Sequence, residues 1–297
     1  DFVDFEVPED TISFSLYLIG QDVGWGLVPI TLFDYVVDPF GFDINAEDRY
    51  QNCRKGFCSI LNPVTPEHEI VPGTWQLNLW SFASSFNLEE RTKIYLLLRR
   101  QNSEAPSLNQ YQMTIQPWLL SSEYEETDID KALDIVSDNL TTYNYKLLSS
   151  PIKVPEEFVD RNYWPNFNSS NLLELVEQGD PHKINVFFLN MPTSGILGQS
   201  PNIPGSVGLK HRFSGVIVNL PMHISWESGL LNHQELSETV LHEVGHLLGL
   251  YHTTEMNGLI YDPISDTPEC SRNPHDLNQN WMVETAECQN LGADNIM

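Results

Sequence analysis

Residues 242–252 read His242-Glu243-Val244-Gly245-His246-Leu247-Leu248-Gly249-Leu250-Tyr251-His252, a spacing that dictates both a helix and the turn that ends it. On an α-helix, positions i and i+4 share one face, so His242 and His246 can direct both imidazoles at a single metal ion. Glu243 follows the first ligand directly and stands beside the ion, off the ligand axis, where its carboxylate can hold a water. Gly249 accepts a left-handed backbone, so the helix can stop there and the chain can return His252 as a third ligand. Three neutral imidazoles with an open fourth position is the pattern of a catalytic zinc site, because structural sites close and favour cysteine. The plain alternative is a helix with surface histidines. Against it, Leu241, Val244, Leu247 and Leu248 make an apolar side, and two histidines and a glutamate on a mostly buried helix cost free energy unless paired or metal-bound. Asn232 is a good N-cap, with Glu235 three residues on in a capping-box arrangement, so the spacing predicts a helix over 233–248.

The chain has 297 residues, enough for one large or two ordinary domains, and 41% of them are hydrophobic. Fifteen Lys and Arg stand against 41 Asp and Glu, a net charge of −26. That balance argues against nucleic-acid and anionic-membrane partners, which need a basic patch. It fits a soluble exported protein, and also carboxylates that bind calcium. Cys53, Cys58, Cys270 and Cys288 fall into two local pairs, which suggests disulfides Cys53–Cys58 and Cys270–Cys288 in an oxidising compartment. A four-thiolate zinc site is disfavoured by the distance between the pairs. Two sequons, Asn139-Leu140-Thr141 and Asn168-Ser169-Ser170, matter only in a eukaryotic secretory pathway. No apolar run reaches membrane-spanning length. The chain opens at Asp1 rather than Met, which reads as the removal of a leader.

The first hundred residues carry strand patterns and no convincing helix. Thr11–Ile19 alternates apolar residues, and further strands are expected over Leu27–Val37, Ser59–Leu61, Thr74–Ser81 and Lys93–Arg99, separated by Gly, Pro, Asn and Asp clusters. This predicts an all-β sandwich, jelly-roll-like, over residues 1–103. Polar Gln101–Asn109, with Pro106, is the expected linker. From 110 the pattern changes: a strand at Met113–Leu120 broken by Pro117, an amphipathic helix at Asp128–Tyr143, and an interior strand at Asn185–Leu189. A Gly/Pro-rich stretch, Pro192–Gly208, precedes Ser214-Gly215-Val216-Ile217-Val218-Asn219 and then the motif helix. The expected class is α+β.

The eleven-residue motif resembles that of the metzincin clan of zinc endopeptidases. Thr253 after the third histidine, Asp266-Thr267-Pro268, and Asn295-Ile296-Met297 are similar to the clan's pappalysin-like branch, strongly over 236–297 and by general pattern over the last 180 residues or so. The resemblance implies a catalytic domain over 110–297 with a mixed sheet and the active-site helix. It implies that Met297 is the Met-turn methionine beneath the zinc. It also implies that the strand at Ser214, Gly215, Val216, Ile217 and Val218 lies near the edge above the cleft, open to an extended peptide, and that calcium binds at Asp266 and Thr267, with Asp262 and Glu255 weaker candidates. It supports the Cys270–Cys288 pairing. The family continues past this methionine whereas the chain stops at Met297, so more chain is expected there.

The expected activity is that of a secreted zinc endopeptidase, with His242, His246 and His252 on the metal and Glu243 taking the proton of the attacking water. Its partners would be proteins or peptides, with no membrane insertion. Two alternatives stay open: a catalytically idle adhesin or binding module on the same scaffold, and a processing peptidase with one target. The other histidines, at 68, 182, 211, 223, 233 and 275, are expected to be structural or exposed.

Overall fold

The computed structural model describes residues 2–20, 31–43, 52–54, 57–63, 69–81, 92–100, 111–161, 163, 170–191, 195–211, 213–255, 257–259, 261, 262, 264, 268–284 and 286–291. By internal packing the chain forms two compact units, one of residues 1–104 with 202–204 and 249–295, the other of 105–201 with 205–248.

Among the described residues the first unit holds seven strands: β1 (Phe2–Val7), β2 (Thr11–Gly20), β3 (Thr31–Val37), β4 (Asn52–Arg54), β5 (Phe57–Asn62), β6 (Gly73–Ser81) and β7 (Thr92–Arg100). They make two antiparallel sheets, ordered β1-β6-β3 and β4-β5-β2-β7. Alternation explains the arrangement. Phe14, Leu16 and Leu18 of β2 face inward, as do Trp75, Leu77 and Leu79 of β6, and these join Val7, Val36, Cys58 and Ile60 in one core. Phe14 meets Trp75 edge-to-face with centroids 5.1 Å apart. Both sheets thus contribute to one core. The alternation predicted over Thr11–Ile19 is present in β2, and strands stand at the expected places of β5, β6 and β7. β1 and the three-residue β4 are additional, and the expected linker and residues 27–30 lie outside the described residues. In the β4–β5 hairpin Cys53 stands opposite Cys58, and no described cysteine is free; the Cys53 side chain is outside the described residues. Farther along, Cys270 and Cys288 are joined by a disulfide, as expected, and pack with Val283 and Leu291.

The second unit is a five-stranded mixed sheet with helices: β8 (Tyr111–Leu119), α1 (Glu126–Thr142), β9 (Tyr145–Ser149), α2 (Ser170–Val176), β10 (Ile184–Leu189), β11 (Gly198–Gln199), β12 (Val216–Asn219) and α3 (His233–Leu248). The order is β11-β12-β10-β8-β9, parallel throughout except for β11. β10 is buried at all six positions, as its largely apolar run requires of a strand covered on both faces. α1 and α3 share one core with the sheet: Ile129, Leu133 and Val136 from α1, Leu236, Val240, Val244 and Leu247 from α3, and Val186, Phe188, Val216 and Val218 from the strands. Each fully buried aliphatic side chain contributes roughly 1.5–3 kcal/mol, so the polar helix that carries the motif is held by its apolar stripe.

Two expectations need correction. β8 is not broken at Pro117: the strand runs through it, because β9 ends opposite Ile115 and no ladder bond is asked of the proline nitrogen on that side. The Pro117 carbonyl instead accepts the Lys153 N–H at 3.0 Å. Nor is the 214–219 segment a sheet edge. β12 is paired with β10 on one side and β11 on the other, with Val216, Ile217, Val218 and Asn219 all buried. The edge belongs to Gly198–Gln199. Ser214 and Gly215 precede the strand, and the buried Ser214 hydroxyl bonds Ser206 Oγ at 2.7 Å.

Candidate metal centre

α3 begins and ends where its sequence signals fall. Asn232 Oδ1 accepts the Glu235 N–H at 3.3 Å, and Asn232 Nδ2 donates to Glu235 Oε2 at 3.4 Å. The glutamate thus answers the cap's side chain, while the Asn232 N–H goes to the His223 carbonyl at 2.7 Å. At the other end Gly249 has φ +109°, a conformation that favours glycine and stops the helix. The Leu247 carbonyl near that end accepts the Gly205 N–H at 2.9 Å.

His242 and His246 stand one turn apart on this helix, their ring centroids 4.5 Å apart and planes at 79°. The turn after Gly249 brings in His252, and one ring nitrogen from each of the three lies within 4.8 Å of the others. Among the described residues this is the one group of three or more His, Cys, Asp or Glu side chains drawn so close. His252 also has its orientation fixed: Nδ1 lies 3.1 Å from Glu255 Oε1, which leaves Nε2 for an ion. Three imidazoles with a carboxylate behind one of them suit a borderline divalent metal such as zinc better than calcium or magnesium, which take oxygen ligands. Glu243, one residue after the first ligand, is buried to 7% exposure.

A chain of buried polar groups braces the helix from behind. Asn219, fully buried at the end of β12, accepts the Met191 N–H through Oδ1 at 2.8 Å and donates through Nδ2 to the Met191 and Ile196 carbonyls at 3.1 and 3.0 Å. Its own carbonyl lies 2.9 Å from His223 Nδ1, and His223 Nε2 lies 2.9 Å from Thr239 Oγ1, one turn before Glu243. The carbonyl can only accept, so Nδ1 carries the proton and the Thr239 hydroxyl donates to Nε2. Burial holds the His223 pKa below the ordinary histidine value, against the opposing pull of the Asn219 bond and the Glu235 charge. At the front of the helix His233 Nε2 lies 3.1 Å from Asp128 Oδ1 at the start of α1.

The other candidates fall unevenly. Asp266, Thr267 and Met297 lie outside the described residues. Glu255, a weaker calcium candidate by resemblance, has its Oε1 against His252 Nδ1. Sequence reasoning does not single out Asn219 and His223 for this bracing role; nothing marks a lone buried His or Asn until the sheet is assembled. Between Cys270 and Cys288, Asp276, Asn278, Asn280 and Glu287 have the spacing of a calcium loop. Trp281 stands where that pattern has glycine, and the Asp276 and Glu287 carboxylates already accept loop N–H groups from Asn280, Trp281, Leu277 and Glu284.

No family model and no curated protein matches the chain. Among solved structures, similar chains include archaemetzincin from Methanopyrus kandleri, at 16% identity and TM-score 0.34 over 52% of this chain and 81% of that one. Metalloproteinase-II from Bacteroides fragilis is similar at 16% identity and TM-score 0.30, over 54% and 48%. A chaperone–substrate complex is similar at 11% identity and TM-score 0.33, over 61% and 29%. Superpositions this loose define no family for the chain.

Proposed function

We propose that this protein is a zinc-dependent endopeptidase of the pappalysin-like metzincin branch that works outside the cell. The observation that carries the reading is the convergence of His242, His246 and His252 within 4.8 Å, on a helix whose next residue after the first ligand is the buried Glu243. These three imidazoles would hold zinc, with Glu255 keeping His252 in the tautomer that frees Nε2. When bound, zinc supplies Lewis acidity, polarising the scissile carbonyl and making a water acidic near neutral pH. Glu243 accepts the proton of the attacking water on its carboxylate and hands it to the leaving amine nitrogen. An extended peptide pairs with the sheet edge, now at Gly198–Gln199, through backbone hydrogen bonds indifferent to sequence.

Residues 110–297 serve as the catalytic part and residues 1–103 as an accessory β-domain. Met297 forms the floor beneath the metal, and calcium binds at Asp266 and Thr267. The Cys270–Cys288 disulfide supports an oxidising compartment, and no described helix is long and apolar enough to cross a membrane. The test is metal content together with cleavage of a denatured protein, for the parent and Glu243→Ala. Zinc in both with cleavage by the parent alone is the expected result. Zinc in both with no cleavage by either favours the idle binding module, and zinc in neither removes the reading altogether.

A further inference from the structure

Gly198 is the first residue of the edge strand β11, where it pairs with Val218. A methyl group placed on its α-carbon would lie 2.8 Å from Glu243 Cγ, 2.8 Å from Thr239 Cγ2 and 3.1 Å from the Ile217 carbonyl oxygen. Carbon atoms in van der Waals contact sit at about 3.5–4.0 Å, so two of these contacts are far inside the repulsive wall. The backbone at Gly198 does not require glycine: its φ is not among the left-handed ones. What requires glycine there is the approach of the motif helix.

The surroundings leave little room to yield. Thr239 and Glu243 are one turn apart on α3 and both 7% exposed. Thr239 is tethered through Oγ1 to the buried His223, which is itself tied to Asn219, so its methyl group cannot rotate away without breaking that chain. The Ile217 carbonyl belongs to β12, locked between two strands. Of the three obstacles, the Glu243 side chain has the most rotatable bonds, so a Cβ at 198 displaces it first.

We propose that Gly198 is a positioning residue for Glu243: its bare α-carbon is the surface on which the Glu243 methylenes rest, and it thereby sets where the carboxylate stands relative to the three histidines. The catalytic consequence rests on the peptidase reading above; the contact itself does not.

The test is a double-mutant cycle between Gly198→Ala and Glu243→Ala, run on a Thr239→Ser parent. Serine keeps the hydroxyl that meets His223 and removes the methyl group, so Glu243 is the side chain left in the way. Thermal unfolding of the four chains reads the contact without reference to activity. With Glu243 present, Gly198→Ala is expected to lower Tm by roughly 3–10 °C, the range for overpacking in a domain of this size, and by far less in the Glu243→Ala background. A Gly198→Ala chain that folds only with Glu243→Ala is the same result in stronger form. On a peptide substrate, Gly198→Ala is expected to lower kcat by about 10–100-fold, with KM within about twofold and zinc content unchanged. Additive Tm shifts overturn the contact, and an unchanged kcat, or an equal loss spread into KM and zinc content, overturns the positioning role. A parent that cleaves nothing sinks the peptidase reading and with it the catalytic role, while the Tm cycle still decides the contact.

Discussion

His252 Nδ1 and Glu255 Oε1 lie 3.1 Å apart, three residues apart in the chain. The pair fixes the ring of the one ligand that α3 does not carry. His242 and His246 inherit their direction from helix geometry, but His252 follows a turn, and a turn alone does not orient an imidazole. Glu255→Ala, and more mildly Glu255→Gln, should therefore weaken metal binding by about 10–100-fold. Competition with a chromophoric chelator measures this directly. An affinity equal to that of the parent would leave Glu255 as a surface carboxylate with no part in the site.

Asn219→Ala should be among the more damaging single changes in the second unit. It removes the acceptor for the Met191 N–H and the donor to the Met191 and Ile196 carbonyls in a fully buried position. Leaving such groups unpaired costs about 1–3 kcal/mol each, and even partial relaxation should lower Tm by roughly 5–15 °C. A fall of less than a degree or two would mean that water replaces the amide, and the brace behind α3 would be weaker than its hydrogen bonds indicate.

Stability should also depend on His223 in mildly acid solution. Its folded pKa lies below the ordinary value of 6.5, so between those two values the unfolded chain binds more protons than the folded one, and stability falls as pH falls. The loss begins as pH drops through about 6.5, where the unfolded imidazole titrates, and levels off below the folded pKa. Above about 7 the group is neutral in both states and contributes no slope. His223→Gln, which can still bridge Asn219 and Thr239, should flatten Tm against pH just below about 6.5, and an identical slope in parent and variant would assign the acid sensitivity to other groups.

What can be read from the chain alone divides by range of interaction. The bounds of α3 are legible because every signal is local: Asn232 at the cap, Leu236, Val240, Val244 and Leu247 at helical spacing, and Gly249 at the stop. In the first unit β2 and β6 announce themselves by alternation. β4 and β11, of three and two residues, are too short to show a period. The place of β12 within its sheet is hidden for a related reason. Its apolar run identifies a strand, but which strands flank it depends on residues about twenty to thirty positions away. Gly198 is illegible in the same sense, because what it touches is the motif helix and not its neighbours in sequence.

Gly249 offers the sharpest test of how the site is assembled. Its φ of +109° disfavours any side chain, and a Cβ there would meet Leu61 Cδ2 at 2.8 Å. Gly249→Ala should cost about 1–3 kcal/mol through backbone strain. The more telling effect is on the metal. If α3 responds by continuing another turn, His252 no longer swings back toward His242 and His246, and zinc affinity should fall by well over tenfold while binding at two imidazoles persists weakly. Calorimetric or chelator-competition titration of the parent and variant, with Tm recorded on the same samples, separates the two effects. A lower Tm with unchanged affinity would show that the Tyr251 hydroxyl bond to the Ile203 carbonyl, at 3.1 Å, holds the turn without help from glycine.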